Sequence, residues 1–165
     1  MQTPVLHTPE AELNLSLAVA DITPPGDSYH RNWGAALHDA AEGVHLPLRA
    51  TALVWTPRDG GQEHVLVAVD LGWLRTREIC TLLTRLSEQC GIAPERLLVT
   101  FSHTHAAINL DVTRSGEPGG HHIQPYLDSL PQRLAEAITQ ARARVQPTTL
   151  TFGRGSCSLA MNRDM

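Results

Sequence analysis

The strongest constraint on how this chain folds is the succession of three patterns between His64 and His105. His64 to Asp70 (HVLVAVD) is a nearly unbroken apolar run of strand length, the signature of a strand in a buried, central position. Ile79, Leu82, Leu83, Leu86 and Cys90 then recur at helical spacing, and Gly91 supplies the left-handed residue that stops a helix. Pro94 and Glu95 lead into a second apolar run, Leu97 to Phe101, which breaks off at Ser102-His103-Thr104-His105. Strand, helix, strand predicts a βαβ unit with parallel strands and a right-handed crossover. The expected fold class is α/β: a mixed sheet with a central βαβ unit and flanking helices, and a ligand site at the carboxyl edge of the strands.

That topology brings Asp70 and His103 to one edge. A His-x-His pair on extended backbone points both imidazoles to the same side, and two converging neutral imidazoles suit zinc or a similar metal. The plainer alternative has one ring capping a loop and the other in solvent, and in a chain with nine histidines spacing alone does not separate the two. Asp70 reads first as a structural acid accepting loop amides, and second as a metal ligand or a support behind one.

The flanking sequence completes one domain. Residues 1–12 are polar, Pro-interrupted and aperiodic, and read as a loose tail; residues 13–165 read as a single α/β domain. Leu13, Leu15 and Leu17 alternate with polar residues as a half-buried strand continuing through Val19 and Asp21. Thr23-Pro24-Pro25-Gly26 stops it, and the long stretch to Gly43 has the length of a functional loop. Leu48 to Trp55 reads as a strand, followed by a hairpin turn at Arg58-Asp59-Gly60-Gly61. A second long loop spans Ile108 to His122, where His121 and His122 beside Gly-Gly read as exposed rather than ligating. Tyr126, Leu127, Leu130, Leu134, Ala137, Ile138, Ala141 and Val145 mark a helix ending at Pro147, with Pro131 as a kink or break. Thr148 to Phe152 and Ser156 to Met161 read as two further strands.

Charge and cysteine usage remove whole classes of function. A net charge of −4 with no basic stripe argues against nucleic acid as a partner. No run approaches a membrane span, and the first residues lack the basic and apolar regions of a secretory signal, so the expected location is cytoplasmic. Cys80, Cys90 and Cys157 have no CxxC spacing and read as reduced.

Several landmarks now fall in one order: Val19-Ala20-Asp21-Ile22-Thr23-Pro24, Gly43-Val44-His45, Val67-Ala68-Val69-Asp70-Leu71-Gly72, Ser102-His103-Thr104-His105 and Asn162-Arg163. Together they resemble the N-terminal part of the neutral/alkaline, non-lysosomal ceramidase family. The resemblance implies a zinc-dependent amidase that cleaves the N-acyl bond of ceramide or a related lipid amide. It makes His103 a zinc ligand, His105 an active-site residue, Arg163 an active-site arginine beside Asn162, and His45 a neighbour of the same pocket. It also implies that the chain is an incomplete, N-terminal part of a larger catalytic domain. The family's second zinc histidine, its glutamate and tyrosine ligands and its catalytic serine lie downstream of the Asn-Arg landmark and match nothing here, so a downstream polypeptide or partner would complete the site. The loop after the histidines, Ala106-Ala107-Ile108-Asn109, departs from the family's Ser-Gly-Pro-Gly type. The alternative is a shortened, non-catalytic homologue acting as a binding or interaction module, its edge strand near residues 156–161 recruiting a partner. A third option completes a different hydrolase from His121 or His122 and Asp70.

Overall fold

The computed structural model describes residues 10–159. In chain order the main elements are β1 (Glu10–Asp21), β2 (Arg49–Pro57), β3 (His64–Val69), α1 (Thr76–Cys90), β4 (Leu97–Phe101), α2 (Ile123–Arg142) and β5 (Gln146–Thr151). They build one five-stranded mixed sheet in the order β4-β3-β2-β1-β5. Only β3 and β4 run parallel, joined through α1 as the βαβ pattern requires; the other pairs are antiparallel.

Local chemistry explains the helix ends. Gly91 takes φ 62°, ψ 37° and its amide closes α1 onto the Glu88 carbonyl, a conformation that glycine adopts without a Cβ penalty. In α2, Pro131 is buried within an unbroken helix rather than dividing it. The missing amide is tolerated because packing on both sides holds the turn: Tyr126, Leu130, Leu134, Ala137 and Ile138 are all buried.

The two helices pack against each other, α2 over β1 and β2 and α1 beside β4. The covered sheet face carries Ala18, Ala50, Ala52, Val54, Val65, Val67 and Val69, all buried. Alanine at three of these positions lets the helix backbone approach closely. One consequence differs from the simplest reading of the alternating leucines. Strand β1 begins at Glu10 and is indeed half-buried, but its covered half is Ser16, Ala18 and Ala20, while Leu17 is 54% and Val19 44% exposed. On that open face, Leu17, Leu53, Leu66 and Leu98 stand opposite one another across four strands. For the same reason β3, apolar on both faces, is covered on one only.

One further expectation meets the structure differently. Ser156–Leu159 carries no strand among the described residues, and the sheet's edges are β4 and β5; residues 160–165 lie outside the described residues. The long loop after β1 is irregular but not loose, since an isolated bridge joins Tyr29 to Ala40.

Candidate functional site

The antiparallel and parallel pairings place the end of β1, the start of β2 and the ends of β3 and β4 at one edge of the sheet. Short bonds fix that edge. The Ile22 amide donates to Leu48 O (3.0 Å), Asp70 N to Arg49 O (2.9 Å) and Ser102 N to Val69 O (3.0 Å). Thr23 Oγ1 accepts the Leu48 amide at 2.9 Å, and Asp70 Oδ2 accepts the Arg49 amide at 3.1 Å. Asp70 therefore works as the amide-accepting acid that its position at a strand end suggests.

Above this edge lies a groove of about 770 Å³, bounded by the loop after β1 and the segment after β4. Asp70, His45, His30, His38 and Thr104 all line it. His45 and Asp70, 25 residues apart in sequence, thus line one groove. His30 and His38, whose rings lie 5.0 Å apart between centroids, come with them. Neither stood out as a candidate in the sequence; the only signal was the unusual length of their loop.

His103 has φ 58° and is the only non-glycine residue with positive φ among the described residues. Its backbone is not the extended one that the His-x-His argument assumed, because β4 ends at Phe101 and the chain turns sharply at the pair. The rings of His103 and His105 still converge, with centroids 5.2 Å apart and planes tilted by 50°. Trp33 meets His105 edge-on at 5.4 Å. A left-handed β-carbon-bearing residue costs on the order of 1 kcal/mol or more and persists only where its surroundings impose it.

The segment that follows His103 is held from outside itself. Asn32 Nδ2 donates to Ala107 O at 2.6 Å, Asn109 N to Tyr29 O at 2.8 Å and Asn109 Nδ2 to Arg31 O at 3.1 Å. These bonds stitch the loop after β1 to the segment after His105. Asp111 ties the same segment to the start of α1 by an ion pair with Arg75 at 2.5 Å. The Thr113 hydroxyl and amide bonds, with Arg75 and Arg114 nearby, hold the Asp111 carboxyl below its ordinary range. Asp21 is held low in the same way, chiefly by the Thr23 side chain and then its amide.

Among the described residues, His103 and His105 are not joined by a third ligand-type side chain within coordinating distance, so these two imidazoles are at most part of a zinc set. The group that does converge is Asp27, His121 and His122. Asp70 and the His121-His122 doublet therefore do not unite with His103 in a single cluster. Asn162 and Arg163 lie outside the described residues. Cys80, Cys90 and Cys157 are free. No helix among the described residues is long and apolar enough to cross a membrane.

No family model matches the chain, and no curated protein sequence matches it. Solved structures do. The neutral ceramidase of Pseudomonas aeruginosa superposes with a TM-score of 0.64 at 22% identity, over 83% of this chain and 22% of that one. A ceramidase structure described as complexed with C2 gives a TM-score of 0.67 at 21% identity, with the same two coverages. The chain spans about a fifth of the length of these proteins. Over that span it has a ceramidase-like fold.

Proposed function

We propose that this chain is part of a ceramidase-like, zinc-dependent amidohydrolase acting on ceramide or a related lipid amide, and that it carries only part of the active site. The observation that supports this best is His103, held in the left-handed region at the carboxyl end of β4, one residue before the groove-lining Thr104, in a fold like that of neutral ceramidase. In this reading His103 is one zinc ligand, and the remaining ligands come from a further stretch of polypeptide or a partner. Zinc, when bound, lowers the pKa of a water molecule and polarises the amide carbonyl. His105, beside His103, gives a proton to the leaving amine. Arg163 stabilises the developing negative charge on the carbonyl oxygen, with Asn162 supporting it. His45 and Asp70 orient the polar head of the substrate from the groove wall.

The test is release of fatty acid from an N-acyl sphingosine by the protein isolated from its source cells. Addition of a chelator should abolish it, and His103→Ala should lower it by more than ~100-fold, since loss of a metal ligand exceeds the effect of losing a residue that merely supports one. Full activity of His103→Ala would sink the assignment. A native polypeptide well above 18.0 kDa should accompany the activity. Among the described residues His103 converges with His105 alone, and that favours a second reading, a non-catalytic binding module. A native band at 18.0 kDa without hydrolysis would select it.

A further inference from the structure

We infer that Asp27, His121 and His122 form a separate binding site for a divalent metal of the zinc class, one that clips the loop after β1 to the start of α2. Each of the three offers one ligand atom, and these atoms lie within 4.8 Å of one another. Two imidazoles and one carboxylate form a donor set that takes zinc and its neighbours in the first transition row, leaving a fourth position for water. His122 Nε2 and Asp27 Oδ1 are 2.8 Å apart. Ligands about 2.0 Å from a tetrahedral metal stand roughly 3.3 Å from each other, so the donors need only small shifts to admit the ion. On binding, His122 ligates through Nε2 as a neutral ring, with its one ring proton on Nδ1.

The backbone around the cluster is built to hold it. Gly119 has φ 76°, and a Cβ there would lie 2.2 Å from Asp27 O and 2.6 Å from Tyr29 N. Gly120 has no room either, with Arg114 O 2.1 Å from the position of a Cβ. The Gly-Gly pair thus lets the segment before α2 lie directly on the Asp27–Tyr29 backbone, where Tyr29 N donates to Gly119 O at 3.0 Å. Gly-Gly beside His-His, which in sequence reads as an exposed turn, is the device that carries both imidazoles to a carboxylate 95 residues away. The rings of His121 and His122 sit 3.9 Å apart between centroids, close enough to share one ion. This site has no residue in common with His103 and His105, so it stands or falls independently of the proposed hydrolase.

The experiment is a Zn2+ titration followed by calorimetry and by thermal unfolding, on the wild type, Asp27→Asn, His121→Ala, His122→Ala and His103→Ala. The expected result is one zinc whose binding raises the wild-type Tm, since a ligand selective for the folded state stabilises it. Affinity should fall at least tenfold in each of the three cluster variants, with loss of the Tm rise, and both should persist in His103→Ala. The metal-free Tm of each variant checks that it folds; should His122→Ala unfold, Asp27→Asn and His121→Ala decide. Co2+ provides a second reading, as its visible bands gain intensity when it leaves octahedral water for a four-coordinate protein site. Zinc binding and a Tm rise that survive in Asp27→Asn and His121→Ala would overturn the inference, as would a wild type that takes up no zinc.

Discussion

A histidine held at φ 58° works against its own backbone, and that conflict can be measured. His103→Gly removes the steric cost of the left-handed region and should raise the unfolding free energy by roughly 0.5–1 kcal/mol in a denaturant titration. On the proposed function, the same variant should also lose hydrolysis. A residue that stabilises the protein when replaced and disables it in the same step is positioned for function rather than packing. Tyr126 makes the opposite case. Its hydroxyl donates to Ile22 O at 2.6 Å in the buried layer between α2 and the end of β1, and burial pushes its pKa far above the usual tyrosine value. Tyr126→Phe leaves that carbonyl without its partner and should cost about 1–2 kcal/mol in the same titration. The contrast shows what the sequence conveys at this scale. His103 and Tyr126 are both recognisable as candidates from their neighbours, one for a site and one for a helix face. That one is strained and the other bonded to the chain 104 residues away depends on partners that no local pattern names.

At the scale of elements, helix and strand types follow from periodicity, and the parallel pairing of β3 and β4 follows from the helix between them. Which face of a strand is covered does not follow. The leucines of β1 outweigh Ser16 and Ala18 in hydrophobicity, yet α2 rests on the smaller residues because two backbones must come close there. The assignment of faces predicts an asymmetry between two neighbouring strands. Leu98→Ser, on the open face of β4 and 56% exposed, should change stability by no more than about 0.5 kcal/mol. Val67→Ala, fully buried beneath the helices in β3, should cost about 2 kcal/mol through the cavity it leaves. Chemical denaturation of the two variants side by side distinguishes the faces, and equal effects would mean that the open face is covered.

For the molecule as a whole, the loops that surround the groove are held by polar contacts as well as by the buried Tyr29, Ala107, Ile108 and Leu110, and part of the polar hold titrates. Asp111 has a lower pKa in the folded protein than in the unfolded chain, so it binds fewer protons when folded. Its contribution is complete above the ordinary carboxylate range, at about pH 5 and higher, and is lost as the pH falls through the folded value. Asp111→Asn should therefore lower the Tm at neutral pH, and the gap from the wild type should narrow steadily below about pH 4. Thermal unfolding across that range checks it, and a gap independent of pH would remove the ionic part of the argument. The sequence by itself determined the α/β class, the βαβ unit with Gly91 at its helix end, and the placing of Asp70 and His103 at one edge, because periodicity and chain direction are local or topological properties. Tertiary structure alone decided that His30 and His38 join His45 at the groove, that His121 and His122 meet Asp27, and that a row of leucines stands open. Each of these depends on which distant segments approach one another and how closely. That is set by side-chain volume and by glycines without a Cβ, quantities that act across space rather than along the chain.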